Sequence, residues 1–482
     1  MQRLDKQFID NQWVASQATR TLPVTNPYSA AVIAEVTAGD SADVEAAVAA
    51  ARRALPAWRA LSGAQRGIYL DGFADALNAR RDELIRLSSI NNGKALAEAG
   101  IDLDDAIACY RYYAEQAHQL DSRQGQPVDV DMPGIEARCY FDPVGVVGLI
   151  TPWNFPLVTS AWKLAPALAA GCTVVFKPSE VTPLPEQALA EIAVEVDLPV
   201  GVFNLVHGDG QGIGEPLTHH RHIDKISFTG SNRVGEVVMR AVADGSRSIS
   251  LELGGKSPII VMDDVEIEEA ADHVMAGIYF NAGQICSATS RLIVHEAVAD
   301  ALYEALGRRI DALVLGDPLD EATTQGPLTS ARQKEAVEHY LGIAAQEGLT
   351  AVRDARDRPL PQQGYFVAPT LYRDVPADSR LWREEIFGPV LCGRSVASEQ
   401  EAIVLANDSD YGLAATVVSG DPARAKRIGR QLQAGSIWYN SEQLVLPQTA
   451  WGGFKRSGIG RELGTWGLAS YQEVKHVIGP AG

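Results

Sequence analysis

The sequence predicts an α/β protein built on doubly wound, mostly parallel sheets. From Gly145 onward, short apolar runs of strand length are separated by segments of helical length. Runs without polar alternation suit strands buried on both faces, as in a parallel sheet. Strands that alternate with helices favour right-handed crossovers and a ligand crevice at the carboxyl ends of the strands. A chain of 482 residues corresponds to about three domains or subdomains.

The predicted elements follow in chain order. Apolar residues recur at helical spacing over Ala42–Trp58 and Gln65–Arg86, so we expect the first hundred residues to be largely helical. Glycines and prolines over 124–140 indicate a projecting hairpin. Strands are predicted at GVVGLI, CTVVF, VFNLV and IDKISF and, after the LELGG segment, at SPIIVM, RLIVH, PVLCG and AATVVS. The late run YQEVKHVIG is predicted to be a strand tied down by pairing, with a partner subunit as the candidate for that pairing.

The composition excludes several classes of function. The chain has 42 Lys and Arg against 61 Asp and Glu, and this net charge of −19 repels phosphate backbones and anionic membranes. We therefore expect no nucleic-acid and no membrane partner. Apolar stretches fall short of the ~20 residues that span a bilayer, and the N-terminus lacks the apolar run of a secretory signal. The five cysteines are scattered without a CxxC pair, which disfavours disulfides and favours a reducing cytoplasm.

Three side chains are candidates for covalent chemistry. Cys286 lies among small and polar residues in GQICSATS, where a thiol can be a nucleophile; the alternative is a small buried hydrophobe. Glu252 ends the predicted strand SISLE, where a half-buried carboxylate can be a general base or simply a solvated residue. Asn154 in TPWNFP can donate to an oxyanion, together with the Cys286 N–H, or serve as an Asx-turn or helix cap.

Two segments are candidates for binding a phosphate-containing cofactor. Phe228, Thr229, Gly230 and Ser231 close a predicted strand before a helix, so backbone N–H groups there can face a pyrophosphate. This is not a full GxGxxG pattern. In FKPSE, Lys177 and Glu180 follow another strand; the carboxylate can accept from a ribose hydroxyl or form an exposed ion pair.

The histidine cluster THHRH has a residue type that binds metals. His219, His220 and His222 lie in a connection before a strand, without a nearby acidic or Cys partner in sequence. A surface loop is therefore the favoured interpretation, and we expect no metal.

Taken together, the motifs resemble those of one superfamily. TPWNFP, FKPSE, FTGS, LELGGKSP, GQICS, EEIFGP and GGFKRSGIGRELG occur in the order and approximate spacing of the NAD(P)-dependent aldehyde dehydrogenases, from about Gln7 to Val477. The resemblance implies a Rossmann-like NAD-binding domain (1–123 and 141–255) and an α/β catalytic domain (256–445). It also implies a small β oligomerisation element (124–140 and 464–482) and a homodimer or homotetramer.

The resemblance also implies a role for each matching residue. Cys286 matches the nucleophile, Glu252 the general base and Asn154 the oxyanion donor, while Lys163 and Glu462 match a proton path from the base. The expected cofactor is NAD, with NADP less favoured because Glu180 would repel a 2'-phosphate. The positions that match cofactor contacts are Ile150, Thr151, Pro152, Trp153, Lys177, Ser179, Glu180, Gly210, Gly214, Phe228, Thr229, Gly230, Ser231, Val234, Leu253, Gln333, Glu385 and Phe387.

Within the superfamily the chain is most similar to betaine aldehyde and aminoaldehyde dehydrogenases. Trp162 and Trp451 match aromatic residues around the cationic end of the substrate, and ring faces attract such groups. Phe155 and Phe280 stand where the plant enzymes usually have Tyr and Trp. Asp102 and Asp105 match an acidic pair near the tunnel entrance, although an Asp-rich helix face can simply be solvated.

Other activities remain as alternatives. The aromatic residues would also line a pocket for neutral aliphatic or aromatic aldehydes. A CoA-acylating enzyme is disfavoured because Glu252 is retained for water activation. A cofactor-independent cysteine esterase and a non-catalytic protein on the same fold are the weakest alternatives.

Overall fold

The computed structural model describes residues 2–354, 358–441 and 443–481. The chain begins with short strands: β1 (Gln2–Leu4), β2 (Lys6–Ile9), β3 (Gln12–Ala15), β4 (Thr21–Thr25) and β5 (Val32–Thr37). Four helices follow: α1 (Ser41–Ala60), α2 (Gly63–Ala79), α3 (Arg81–Asn92) and α4 (Leu96–Arg123). The expectation of a largely helical start is wrong up to Thr37, because strands this short carry too few residues to show a periodic apolar pattern.

The first two helices begin at caps that the sequence encodes. Asp40 accepts from the Ala42 N–H at 2.9 Å, and its own N–H donates to the Asp43 carboxylate at 3.0 Å. Ser62 and Gln65 make the corresponding pair of bonds for α2, at 3.1 and 2.9 Å. Such reciprocal bonds satisfy backbone N–H groups that have no partner within the helix, so each helix starts at its cap.

The first large sheet contains β2, β3 and six later strands: β8 (Val146–Ile150), β9 (Thr173–Lys177), β10 (Phe203–Leu205), β11 (Lys225–Thr229), β12 (Ser248–Glu252) and β22 (Gly458–Ile459). Its strand order is β22-β12-β11-β8-β9-β10-β2-β3, and the five strands from β12 to β10 are parallel. Its segment also contains α5 (Pro156–Ala170), α6 (Pro183–Glu195), a π-helical turn (Gly210–Gly214), α7 (Glu215–His219) and α8 (Asn232–Ala243). The chain order reverses at β8, which places a crevice beyond the ends of β8 and β11.

The second large sheet has seven strands: β13 (Pro258–Val261), β14 (Arg291–His295), β15 (Thr350–Arg353), β16 (Thr370–Arg373), β17 (Val390–Val396), β19 (Ala414–Val418) and β20 (Ser436–Tyr439). Their order is β15-β16-β17-β14-β13-β19-β20, parallel except for β15. Its segment also contains α9 (Ile267–Ile278), a 3-10 turn (Phe280–Gly283), α10 (Glu296–Ala312), α11 (Ala331–Gln346), α12 (Arg380–Arg383), α13 (Glu399–Asn407) and α14 (Pro422–Gly429). The predicted fold class, α/β with doubly wound parallel sheets, is confirmed.

The predicted hairpin and terminal strand pair with each other inside the chain. β6 (Gln126–Val128) and β7 (Ile135–Pro143) are antiparallel, and β23 (Gln472–Pro480) runs antiparallel along the whole of β7. Thus the described terminal strand is tied down by its own chain, and its outer edge has no strand partner within the described chain. Exposed apolar side chains lie on it, namely Val474, Val477 and Ile478.

Smaller elements complete the fold. β1, β5 and β4 form a three-stranded sheet, β18 (Tyr411–Gly412) pairs with β21 (Phe454–Lys455), and α15 (Gly464–Ala469) precedes β23. The largest hydrophobic cluster packs α2, α4 and α5 against the first large sheet. Across the described parts of the chain, no helix combines the length and apolar character that a membrane span requires.

Candidate active site

The candidate site forms where segments from both large sheets meet. Thr151–Phe155 follow β8, Gly230 and Ser231 follow β11, and the loop of Cys286 follows α9 of the second sheet. The Asn154 side-chain Nδ2 donates to the Gln284 carbonyl at 2.9 Å, and the Asn281 Nδ2 donates to the Asn154 carbonyl at 3.1 Å. Asn154 is therefore fastened to the Cys286 loop, and the cap of α5 is Phe155 instead.

The Cys286 thiol is only partly exposed and strongly disfavours its thiolate form in the protein alone. Burial raises its pKa to about 12, the negative charges of Glu252 and Glu385 act in the same direction, and backbone N–H groups of Ser287 and Cys286 oppose it. The pKa of the Cys286 thiol therefore depends on the charges of both Glu252 and Glu385.

The Glu252 carboxyl is buried at the end of β12, and neither of its oxygens has a hydrogen-bond partner in the described structure. Burial raises its pKa well above the usual range; Glu462 adds to this effect and Lys163 opposes it. A Cβ at Gly452 would lie 2.8 Å from the Glu252 Oε1, so the backbone approaches the carboxyl where only glycine leaves room. A carboxyl group with a raised pKa and no hydrogen-bond partner holds a proton firmly, so its ionised form can take a proton from water or a thiol.

Lys163 and Glu462 form a buried ion pair beside this carboxyl. The Lys163 ammonium contacts the Glu462 carboxylate directly, and both side chains are almost fully buried. Ser227 joins them, since Lys163 Nζ lies 3.2 Å from the Ser227 Oγ, which lies 3.1 Å from the Glu462 Oε1. The two residues predicted to act together are therefore in contact.

The predicted cofactor residues lie along the crevice in two groups. On the side of β9, Lys177 Nζ pairs with Glu180 at 3.2 Å, and the Lys177 side chain lies near Gly214, in the π-helical turn that begins at Gly210. On the opposite side, the Glu385 carboxyl accepts from the Gly255 N–H at 3.0 Å, and burial raises its pKa to about 7.

Other predicted cofactor residues connect the two sheets. Gln333 Nε2 donates to the Phe387 carbonyl at 2.7 Å, and the Phe387 ring meets Trp153 edge to face at 5.3 Å.

Ser231 caps α8 by accepting from the Val234 N–H. The remaining positions line the ends of β8, β9, β11 and β12: Ile150, Thr151, Pro152, Ser179, Phe228, Thr229, Gly230 and Leu253.

The predicted aromatic side chains form two pairs. The Trp162 and Trp451 ring centroids are 5.2 Å apart, and the Phe155 and Phe280 rings are parallel at 6.1 Å. Sequence reasoning missed Trp438, which lies 6.2 Å from Trp451 and extends the tryptophan pair toward solvent. No motif distinguishes Trp438 from a core aromatic, because its contact is made between separate elements.

Asp102 differs from the prediction of a charge at a tunnel entrance. It is 1% exposed, pairs with the buried Lys94 at 3.1 Å and accepts from the Val158 N–H in α5 at 3.1 Å. Its charge is therefore neutralised inside the protein and is not free to attract a substrate. Asp105 is half-buried, and its pKa is raised to about 7 by burial and by Asp102 and Asp104.

Lys94 itself is a site residue that sequence reasoning missed. Its ammonium lies 3.9 Å from the centre of the Phe155 ring and occupies one face of that ring. The histidine cluster, in contrast, lies elsewhere: His220 contacts Glu45 at 2.9 Å, and the described residues contain no group of metal-ligating side chains.

Comparisons with known proteins agree with this geometry. The aldehyde dehydrogenase family model matches residues 13–477. The chloroplastic betaine aldehyde dehydrogenase of Beta vulgaris is 43% identical, over 98% of this chain and 95% of that protein. The peroxisomal aminoaldehyde dehydrogenase 1 of Malus domestica is 45% identical, over 98% of this chain and 94% of that protein.

Solved structures agree as well. A betaine aldehyde dehydrogenase from Staphylococcus aureus, in complex with NAD+, superposes with a TM-score of 0.94 at 39% identity and covers 98% of this chain and 94% of its own. PnpE from Pseudomonas sp. WBC-3 has a TM-score of 0.95 at 37% identity, with 100% and 98% covered. The chain therefore belongs to the aldehyde dehydrogenase family and is an oxidoreductase that acts on aldehydes.

Proposed function

We propose that this protein uses NAD to oxidise an aminoaldehyde or betaine aldehyde irreversibly to its carboxylic acid. Family membership supports the aldehyde chemistry. The observation that carries the choice of substrate is the cluster of three tryptophans, Trp162, Trp451 and Trp438, whose neighbouring ring centroids lie 5.2 and 6.2 Å apart. Ring faces attract an ammonium or trimethylammonium group by about 0.5 to 2 kcal/mol each.

The residues of the crevice fit a dinucleotide. The first turn of α8, capped by Ser231, presents backbone N–H groups of the kind that bind a pyrophosphate. The Thr229 Oγ1 is buried without a partner among the described residues, which leaves a hydroxyl available to a ligand. Glu180 and Glu385 would hold the two riboses, and Phe387 with Trp153 would bound the nicotinamide. Glu180 also favours NAD over NADP, because its charge would repel a 2'-phosphate.

The side chains of the site carry the covalent steps. The Cys286 thiol gives its proton to Glu252 as its sulfur forms a bond to the aldehyde carbon, and Asn154 Nδ2 with the Cys286 N–H donates to the oxygen that becomes negative. NAD+, when bound, supplies the acceptor for the hydride that leaves this carbon. The acyl group then remains on Cys286 as a thioester.

Hydrolysis of the thioester depends on the second half of the site. Glu252 takes a proton from water while the water oxygen attacks the acyl carbon, so the carboxylic acid leaves and the thiolate returns. Lys163 and Glu462 lie beside Glu252 and provide a buried route for its proton. Water as the acceptor, and not CoA, is supported by the presence of this base.

One observation favours a second candidate, a dehydrogenase of broad specificity for neutral aliphatic or aromatic aldehydes. Lys94 already occupies a face of Phe155, and the stacked Phe155–Phe280 pair lacks a hydroxyl or indole N–H. The part of the pocket formed by Phe155 and Phe280 is therefore apolar. The face of the Phe155 ring that Lys94 covers is not free to attract a substrate cation. Asp102, being paired with Lys94, adds no compensating charge.

The test is a panel of betaine aldehyde, aminopropanal, aminobutanal and neutral aldehydes of matched length, with NADH formation ranked by kcat/KM. We expect the cationic aldehydes to rank first and Cys286→Ala to be inactive. Preference for neutral aldehydes would replace the substrate proposal, whereas activity in Cys286→Ala would overturn the mechanism.

Acyl-CoA formation in the presence of CoA would overturn water as the acceptor, and ester turnover without NADH from any aldehyde would favour an esterase.

We also propose the assembly and location that follow from the same reasoning. The unpaired edge and exposed apolar residues of β23 support a role of 124–140 and 464–482 in a homodimer or homotetramer. The two large sheets support a division into a cofactor domain (1–123 and 141–255) and a catalytic domain (256–445). Five free cysteines support a reducing compartment, for which we propose the cytoplasm.

A further inference from the structure

The loop of the proposed nucleophile contains an uncommon backbone turn. Asn281, Ala282 and Gly283 have φ of 48°, 51° and 74°, so three consecutive residues lie in the left-handed region. Glycine adopts this region freely, but Asn281 and Ala282 are held there against the steric preference of L-residues. Only Gln284 and Ile285 separate the turn from Cys286, so the conformation of this turn helps to set where the thiol lies.

Glu98, in the first turn of α4, holds the turn from outside. Its Oε1 accepts from the Asn281 backbone N–H at 2.7 Å across 183 residues of sequence. Its Oε2 accepts from the Ala95 N–H at 2.9 Å and caps α4. Glu98 is 7% exposed as a residue, and burial raises the pKa of its carboxyl to about 6, against the two backbone bonds and the nearby Lys94.

The same turn is bonded to the segment of the oxyanion donor. The Asn281 side chain donates to the Asn154 carbonyl, and the Asn154 side chain donates to the Gln284 carbonyl beyond the turn. From the end of α3, Asn92 Nδ2 donates to the Trp153 carbonyl at 2.8 Å. The helical α3–α4 corner is therefore bonded both to the turn before Cys286 and to the segment of Asn154.

We propose that Glu98 is a positioning residue for the thiol: its carboxylate fixes the left-handed turn at Asn281 and thereby sets Cys286 relative to Asn154. The inference rests on the proposed role of Cys286 as nucleophile. Glu98 acts through the backbone of the turn, because its bond to the turn goes to the Asn281 backbone N–H.

Glu98→Met keeps the length of the side chain and removes both acceptors. We expect kcat to fall at least about tenfold with little change in the KM for NAD, because displacement by a fraction of an ångström weakens a reacting geometry. Alkylation of Cys286 by iodoacetamide, without NAD or aldehyde, should slow at least about threefold at pH 8. The reason is that the thiolate loses its alignment with the Ser287 and Cys286 N–H groups.

Two further variants separate positioning from helix capping. Ala95→Pro removes the backbone N–H that donates to Glu98 in the cap of α4 and leaves the bond from Asn281 to Glu98. Proline can adopt the φ of −60° found at Ala95. We expect its kcat and alkylation rate to stay within about twofold of wild type, even if its Tm falls. Ala282→Gly in the Glu98→Met background should recover a large part of both losses, because glycine holds the left-handed turn without help.

The outcomes are distinct. Wild-type alkylation rates in Glu98→Met, the same losses in Ala95→Pro, or no recovery with Ala282→Gly would each overturn the inference. If wild type oxidises none of the aldehydes, the proposed function fails, while the alkylation series still decides the role of Glu98.

Discussion

Removing the charge of Glu462 tests the energetics of the buried pair with Lys163. In Glu462→Gln the Lys163 ammonium keeps its charge but loses its carboxylate, in a position where its side chain is 0% exposed. Breaking a buried pair by removing one partner costs about 3–5 kcal/mol, since an uncompensated charge remains. The hydrogen bonds through Ser227 can persist with the amide, and each contributes only about 1 kcal/mol.

The matched control removes both charges. In Lys163→Met/Glu462→Leu no unpaired ion remains, so we expect the double variant to be more stable than Glu462→Gln by about 2 kcal/mol or more. The assay is urea denaturation of all variants at one protein concentration, because subunit association would otherwise shift the midpoints. A Glu462→Gln protein as stable as wild type, or a double variant no more stable than Glu462→Gln, would refute the reasoning.

Three further predictions concern the site. Trp451→Leu should lower kcat/KM for cationic aldehydes about tenfold more than for neutral ones, because the leucine has no ring face; equal losses in the matched aldehyde panel would contradict this. Burial raises the pKa of Glu385 to about 7, so we expect its carboxylate to accept ribose hydroxyls above that pH and to lose this capacity below it. The Kd for NAD, measured by fluorescence, should therefore rise as pH falls from 8 to 6, and should stay flat in Glu385→Gln. Gly452→Ala places a Cβ 2.8 Å from the Glu252 Oε1 at a φ of 148°, so thioester hydrolysis should slow and acyl-enzyme should accumulate, as seen by mass spectrometry.

The sequence allowed the two parallel sheets to be predicted, because buried strands are continuous apolar runs. The positions proposed to contact the cofactor came from the resemblance of motifs at the ends of those strands. Lys94 and Trp438 were missed for a physical reason. Each is identified as part of the site only by its contact with a residue on a separate element: Lys94 contacts Phe155, and Trp438 contacts Trp451. The burial of Asp102 could not be predicted either, since nothing local marks the neutralising lysine.

Glu98 illustrates the same limit. A Glu three residues after Ala95 predicts only a helix cap, and half of its bonding is indeed a cap. The other bond comes from the Asn281 N–H. The left-handed conformation of Asn281 and Ala282 was not predicted from the sequence of these two residues. Short-range patterns thus identified the elements, whereas the contacts that tune the site are long-range.

The late position of Glu462 has a consequence for how the protein acquires activity. Its partner Lys163 lies 299 residues earlier, and β22, just before Glu462, adds to the edge of the first sheet beside Glu252. Contacts of such separation form slowly, because a long loop must close before they contribute. An incompletely folded chain would therefore have its thiol before it has the Lys163–Glu462 pair that we propose as the route for the proton of Glu252. Activity should appear only at the end of refolding, after most secondary structure has formed.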